Sequence, residues 1–497
     1  MLQIEQALEK CGNNGWYQIR LFLISSLLTF ILSAQIMSAT YNYIVPQLYC
    51  NGQMCDEDEK TCSEKNYSID PNFKYKNIVT EFSLFCENRK FIMITSTINF
   101  LGSVIGGSIL SQISDYWGRY KTLLLSLIFT NFGFIGIYFS QSIIQLIIFT
   151  FFFGFFQIGV YIMIPVLINE ISGYEIKQIL STGTLVFWCL GEILMAILYY
   201  FIENWRTIYL FVIVIPGLIS LILTWILVQE SPKFLYQKKD YEKTLYVLRY
   251  IAKVNGKQFD DPALEYSQTN NVRNNYSFLD LFKLSQFASS SIGFILISYA
   301  LHLVYYGGQF VLQEISIGNM IYQLGIFLGI SELVGYSLIT YLIPKLKRTF
   351  YQKLFFYIQI LGCISFLYYG FTQYQLQCQG CVEEIIVILL CCLIRFFNTF
   401  GFGLLRQHTL EIYPTQIRGT GSGLLFTFGI LGSFSSSYMI ALANYIQFNQ
   451  VAFLGIISIS GIIGAFLTKE TFKKRLVEEI DESFQILSQN DGMLKAN

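Results

Sequence analysis

The sequence predicts an all-α membrane protein of twelve transmembrane helices in two six-helix halves, and three observations carry that prediction. Of 497 residues, 54% are apolar, 17% aromatic and only 13% charged, where a soluble domain carries about a quarter charged. Apolar runs of roughly the 20 residues that cross a bilayer recur near 18–45, 91–113, 121–140, 142–169, 178–201, 207–228, 287–308, 316–343, 352–372, 383–408, 418–443 and 448–468. A polar break at 230–286 divides these runs six and six, and the halves repeat one spacing: Glu170 precedes Lys177 by seven residues after the fourth run, as Glu411 precedes Arg418 after the tenth. Charges repeated at equivalent helix ends mark two copies of one unit, a common transporter plan.

Residues 1–17 are polar and acidic and lack the charged start, short apolar core and cleavage site of a secretory signal, so they read as a retained cytoplasmic N-terminus. The first half, 18–229, contains an outer loop at 46–90. The central loop, 230–286, holds an amphipathic helix: Tyr241, Leu245, Leu248, Ile251 and Ala252 recur at helical spacing, and Gly256 stands where a helix stops. The second half spans 287–468, and 469–497 form a C-terminal tail. Arg119, Lys121, Lys177, Lys345, Lys347, Arg348, Lys353, Arg406 and Arg418 fall on one side in the short loops, with Arg206 alone opposite. The positive-inside rule makes the first side cytoplasmic, together with both termini.

In the outer loop, Cys50, Cys55, Cys62 and Cys86 suggest two disulfides in an oxidising compartment, with three connectivities open. Cys378 and Cys381, on the same side between the ninth and tenth runs, are candidates for a third. A metal site is the rival reading, but no histidine accompanies these cysteines. Asn66, in Asn66-Tyr67-Ser68, is an acceptor for N-glycosylation. Cys11, Cys189, Cys363, Cys391 and Cys392 read as free thiols. Lys+Arg and Asp+Glu both number 33, so charge points to no nucleic-acid partner. No ATP-binding loop, cofactor motif or nucleophile with its base is present, which argues against an enzyme and against ATP-driven transport.

Between the second and third runs lies SDYWGRYK, Ser114 to Lys121. Gly118 permits a tight turn, Asp115 can accept hydrogen bonds from a helix N-terminus, and Arg119 and Lys121 hold the loop in the cytoplasm. This Asp-x-x-Gly-Arg turn resembles the signature loop of the major facilitator superfamily, with Ser111 where that loop usually has glycine. Further stretches resemble the organic cation and anion transporter family within it: NIVTEFSLFC (Asn77 to Cys86), NWR (Asn204 to Arg206), ESPKFL (Glu230 to Leu235), YYG (Tyr305 to Gly307), EIYPTQIRGTG (Glu411 to Gly421) and KET (Lys469 to Thr471). The resemblance implies the major facilitator fold. The chain departs from it twice: the second-half copy of the loop, Pro344 to Arg348, has neither Asp nor Gly, and helix 11 has Ile430 where cation carriers place an acid and anion carriers a base.

Ionisable groups deep in a membrane are costly and mark function. Glu192, Glu332 and Arg395 fall near the middle of their helices, His302 and His408 nearer the ends; His408 reads most simply as a neutral histidine bonded to a carbonyl, with a proton carrier as the other reading. Gln157 with Tyr161, Trp188 with Glu192, His302 with Tyr305 and Tyr306, and Glu332 with Tyr336 share helix faces. Aromatic faces interleaved with a few charges suit a pocket for flat or charged organic molecules. The competing structural reading pairs Glu332 with Arg395 simply to cancel two buried charges. A second constellation, Asp115, Gly118, Arg119, Glu170, Lys177, Glu230, Glu411 and Arg418, is expected to form a cytoplasmic gate of exposed ion pairs, each worth about 0–1 kcal/mol.

The function expected is secondary-active or facilitative transport of a small organic solute by alternating access, in the plasma membrane or a compartment continuous with secretion. The expected partners are the solute and the bilayer, with facilitated diffusion as the default and coupling to an ion or to a proton through Glu192 or Glu332 as the alternative, a monomer as default and neither cofactor nor metal. Two alternatives stand beside it: a sugar carrier of the same superfamily, and a transport-incompetent structural or sensing subunit.

Overall fold

The computed structural model describes residues 4–12, 14–50, 53–55, 68–69, 73, 75–173, 176–259, 278–283, 285–315, 320–368 and 382–472. Asn66, Cys62, Cys378 and Cys381 lie outside them, as does the side chain of Cys55.

The twelve runs become twelve helices: α1 (Trp16–Asn42), α2 (Lys90–Trp117), α3 (Arg119–Phe139), α4 (Ile143–Ile171), α5 (Lys177–Phe201), α6 (Trp205–Leu227), α7 (Ser285–Ile315), α8 (Met320–Leu342), α9 (Arg348–Tyr368), α10 (Val382–Ile412), α11 (Arg418–Tyr445) and α12 (Gln450–Leu467). Among the described residues eleven are long and apolar enough to cross a membrane. The exception is α9, which carries Arg348, Gln352, Lys353 and Gln359 in its N-terminal part. Side chains cap several helix starts, as Ser142 does by accepting from the backbone N–H of Gln145. Before Pro216, which has no N–H to donate, α6 widens to a π-helical turn over Leu210–Val214.

The halves meet along two seams, α2 against α11 and α5 against α8. Glycines allow the closest approach: a Cβ on Gly419 of α11 would run into Ser114 and Asp115 of α2. Lipid-facing apolar residues such as Phe132, Phe211, Trp225 and Phe466 are exposed, as helices surrounded by hydrocarbon require.

At the end of the bundle that carries the basic short loops, the amphipathic helix of the central loop runs over Tyr241–Val254. It buries Leu245, Leu248, Ile251 and Ala252, while Tyr241 is exposed. A short N-terminal helix, Ile4–Lys10, docks beside it. The Cys11 thiol donates to the Leu248 carbonyl (3.4 Å), and Lys233 pairs with Glu5 (2.7 Å). That helix is an addition to the sequence reading, which assigns residues 1–17 no secondary structure; seven residues are too few to show a helical period.

On the opposite side a three-stranded antiparallel sheet, β1 (Leu48–Cys50), β2 (Gln53–Cys55) and β3 (Ser68–Ile69) in the order β2-β1-β3, opens the outer loop. Cys50 and Cys86 are both disulfide-bonded, whereas Cys11, Cys189, Cys363, Cys391 and Cys392 are free. Two motifs distant in sequence join here. Glu81 accepts from Trp205 Nε1 (2.7 Å) and pairs with Arg206 (2.9 Å). Burial raises the Glu81 carboxyl, but the hydrogen bonds from Arg206 and Trp205 outweigh it and hold it below the usual carboxylate range.

Candidate functional site

A cavity of about 60 Å³ lies between the halves. The first half lines it with Leu32, Ile36, Phe100, Ser103, Gln157, Ile158, Tyr161 and Trp188, the second with His302, Tyr305, Tyr306, Tyr336, Phe402, Phe426, Ile430 and Ser433. Small-molecule sites typically run to about 300–1,000 Å³, so the rings must move apart to admit a solute. Seven of the expected site residues, Gln157, Tyr161, Trp188, His302, Tyr305, Tyr306 and Tyr336, are in this wall.

The rings form a continuous lining. Tyr161 packs edge-on against Trp188 (5.8 Å) and Phe426 (4.9 Å), Tyr306 against Phe100 (5.2 Å), and His302 against Phe402 (4.8 Å). Gln157 donates to Ser103 Oγ (3.2 Å), and His302 Nδ1 is 2.8 Å from the Ser298 carbonyl oxygen one turn earlier. Trp188 Nε1 donates to the Tyr305 hydroxyl (3.0 Å), linking α5 of one half to α7 of the other.

Behind Tyr305 the three mid-helix charges converge. The Arg395 guanidinium stands 3.4 Å from the Tyr305 ring centroid and donates to the Tyr305 carbonyl (2.8 Å). It pairs through Nη2 with Glu192 (3.3 Å) and through Nε with Glu332. The Tyr305 hydroxyl donates to Glu332 (3.3 Å), and Gln309 donates to Glu192 (3.3 Å). The expected structural pairing of Glu332 with Arg395 is therefore present, but it is a triad: α5 of the first half contributes Glu192, and two carboxylates share one guanidinium. None of the three is more than 6% exposed.

His408 is the one expected site residue that the structure sends elsewhere. Its Nε2 lies 2.7 Å from the Lys469 carbonyl oxygen and its ring packs edge-on against Phe294, at the cytoplasmic end of the second half. Helix spacing gave its depth but not its direction. Arg406, read among cytoplasmic loop charges, is a second correction: α10 continues to Ile412, so Arg406 is inside the bundle and 5% exposed. Its guanidinium stands 5.6 Å from the Tyr161 ring centroid. Ile430 faces the cavity as the aligned position should, and adds no charge.

At the cytoplasmic end the second constellation assembles around Arg119. It pairs with Asp115 (2.9 Å) and Glu170 (3.3 Å), and Glu170 also pairs with Arg418 of the other half (3.3 Å). Asp115 accepts from the backbone N–H of Thr420 (2.7 Å) and Gly419 (3.2 Å), capping α11 across the seam. Gly118 has φ +121°, and a Cβ there would collide with the Glu230 carboxylate. Glu230 accepts from the N–H groups of Arg119 (2.9 Å) and Tyr120 (3.0 Å). Burial pushes its carboxyl above the usual range, against those N–H donors and Arg119. Lys177 is buried at the start of α5.

These pairs are not the exposed ones expected. Arg119, Glu170 and Arg418 are each at most 1% exposed, because the packed halves and the Phe234 ring, 4.6 Å from the Arg119 guanidinium, exclude water. Nor is the second-half loop an empty copy. Arg348 pairs with Glu411 (2.9 Å), and Glu470 of the KET stretch accepts from the N–H groups of Arg348 (2.8 Å) and Thr349 (3.0 Å), as Glu230 does for Arg119 and Tyr120. Only the Asp and Gly positions are lost, and Gln178 Nε2 donates to Glu411 (2.9 Å) at the start of α5. The sequence signal for Arg348 is its place where the loop runs into α9, as Arg119 stands where the loop runs into α3; the spacing to the partner acid differs, so the pairing itself was not legible.

Two six-helix halves enclosing a charged aromatic cavity, with mirrored Arg–Glu clusters at one end, define a membrane carrier. The model of the Major Facilitator Superfamily matches residues 21–437, and the chain belongs to that superfamily. Its curated relatives include human organic cation/carnitine transporter 2, 25% identical over 86% of this chain and 75% of the relative, and rat solute carrier family 22 member 7, 28% identical over 85% and 77%. A third, Xenopus laevis solute carrier family 22 member 15-like, is 25% identical over 99% of both. These relatives match the organic cation and anion transporter family that the motifs indicated. Among solved structures, the proton:xylose symporter XylE bound to 6-bromo-6-deoxy-D-glucose aligns with TM-score 0.65 at 16% identity, covering 93% of this chain and 98% of that one. The human organic anion transporter MFSD10 aligns with TM-score 0.59 at 12% identity, covering 91% and 99%. At such identities the solved structures share the fold alone, and the sugar carrier is a structural neighbour only. The chain is a multi-pass membrane transporter of small organic solutes.

Proposed function

We propose that the solute occupies the cavity between Tyr161, Trp188, Tyr305 and Tyr336, and that the halves rock about it in the plasma membrane. The observation that carries this reading is the Glu192–Arg395 pair, which ties the two halves together beside that cavity (3.3 Å). Movement of the halves must break or remake the bond. The cytoplasmic clusters close the inner face through Glu170–Arg418 and Asp115–Thr420, while stacking of Tyr41 on Tyr322 (5.4 Å) joins α1 and α8 at the outer ends. These contacts narrow the path to the cavity on both sides.

Transport is coupled to a proton held by the triad. Two buried carboxylates on one guanidinium leave one negative charge in hydrocarbon, which is costly unless neutralised. Glu192 faces Arg395, Gln309 and, through the shared guanidinium, Glu332, which in turn faces Tyr305 and the Cys189 thiol. Uncoupled carriage down the solute gradient is the alternative.

The test is uptake by proteoliposomes of a quaternary ammonium, an aromatic carboxylate, a zwitterion and a hexose, with and without an inward proton gradient. Uptake of an organic solute that the gradient stimulates in the native protein but not in Glu192→Gln or Glu332→Gln is expected. Uptake indifferent to the gradient would leave a facilitative carrier, and uptake of hexose alone would replace the substrate class.

A further inference from the structure

Among the described residues, Arg406 is a buried cation with no carboxylate within ion-pair reach, and its Nε and Nη1 have no hydrogen-bond partner. The neighbouring buried acids are already engaged: Glu170 by Arg119 and Arg418, Glu411 by Arg348, and Glu192 and Glu332 by Arg395. An uncompensated charge away from water costs several kcal/mol, and in a membrane protein such a group marks a substrate or ion pathway.

Its place fits that reading. Arg406 follows Phe402 by four residues, so it continues the same face of α10 one turn toward the cytoplasm, and Phe402 lines the cavity. Its guanidinium stands 5.6 Å from the ring centroid of Tyr161, another wall residue. The acidic triad is at the other end: Arg395 precedes Arg406 by eleven residues, about 16 Å along the helix at 1.5 Å per residue. On α11 the cavity-facing Ile430 and Ser433 supply no charge. The cavity is therefore flanked by the acidic triad toward its outer end and, one helical turn beyond its wall residue Phe402, by the Arg406 guanidinium toward its inner end.

We propose that Arg406 is the anchor for an anionic group of the substrate, so that the transported solute is an organic anion, of the carboxylate class, held with its charge toward the cytoplasmic end and its apolar body among the rings. This rests on the central cavity being the solute site. The guanidinium fork binds a carboxylate bidentately, and opening of the rings around Tyr161 brings the two together.

The experiment uses the full-length protein in proteoliposomes and detergent, with benzoate, tetraethylammonium and glucose as probes, and the variants Arg406→Gln and Arg406→Lys. Benzoate uptake is expected in the native protein, with kcat/KM lowered about 10- to 100-fold in Arg406→Gln, the range for a lost charged hydrogen bond, and partly recovered in Arg406→Lys. Benzoate should raise the melting temperature of the native protein and not that of Arg406→Gln. Without ligand, Arg406→Gln should melt no lower than the native protein, since it removes an unpaired charge; a lower melting temperature with unchanged benzoate kinetics would make Arg406 a structural residue and overturn the proposal. Uptake of tetraethylammonium alone, or equal benzoate kinetics in both proteins, would also overturn it. If no probe is transported, the solute-site reading fails, and the benzoate melting shift still decides: a shift confined to the native protein upholds anion binding at Arg406, and no shift ends it.

Discussion

Arg348 pairs with Glu411 at 2.9 Å and thereby reproduces, in the second half, the Arg119–Glu170 contact of the first. Both guanidiniums also donate to the carbonyl five residues earlier, Arg348 to Ile343 and Arg119 to Ser114. Losing one partner of such a buried pair strands a charge, which costs about 3–5 kcal/mol, whereas replacing both by apolar residues is often neutral. Arg348→Met should therefore lower the melting temperature in detergent sharply, and Arg348→Met with Glu411→Leu should recover much of it. A mild effect of the single variant would show that the pair is solvated.

Asp115 is the corresponding point for gating, since its carboxylate accepts from Thr420 N, Thr420 Oγ1 and Gly419 N across the seam. Charge-assisted hydrogen bonds contribute about 1.5–3 kcal/mol each, so Asp115→Ala should shift the equilibrium toward the inward-open state by at least about tenfold. Labelling of a cysteine placed on the inner face of the cavity reads that shift. Unchanged labelling with unchanged transport would reduce the cluster to a topology signal.

Trp188 and Tyr305 join the halves through a neutral hydrogen bond beside the cavity. Trp188→Phe keeps an aromatic ring, though a smaller one, and removes the donor, whose hydrogen bond is worth about 0.5–1.5 kcal/mol. A KM for the solute raised roughly 2- to 10-fold, with expression and melting temperature near native, is the expected result.

Glu81 gives the outer face an acid-sensitive fastening. Its carboxyl is held below the usual range in the folded protein, so its contribution is present above the pKa of the unfolded chain and is lost as pH falls through the folded value. Melting temperature should fall on acidification below the ordinary carboxylate range, and Glu81→Gln should flatten that part of the profile. Glu81 is partly exposed, so the effect is modest and salt-dependent.

The sequence was a good guide to everything that composition and period control. Twelve apolar runs, their division at the central loop and the amphipathic helix at 241–254 all follow from local patterns. The recurring Glu170–Lys177 and Glu411–Arg418 spacing exposed the two halves because equivalent helix ends repeat in sequence as well as in space. Where sequence reasoning faltered, the missing quantity was direction or burial. Arg348 looked like one more loop charge until Glu411 and Glu470 closed on it, and His408 had the depth of a site residue but the bearing of a buried packing group.

Linear sequence by itself determined which residues are apolar enough to cross the membrane and in what order, because transfer from water depends on the side chains of each segment alone. Which charges meet was decided only by the tertiary structure. Glu192, Glu332 and Arg395 are separated by 140 and 63 residues, and only the packing of α5, α8 and α10 places two carboxylates on one guanidinium and, among the described residues, leaves Arg406 with none. Ion pairing depends on distance and on exclusion of water, and both exist only once the two halves have closed on each other.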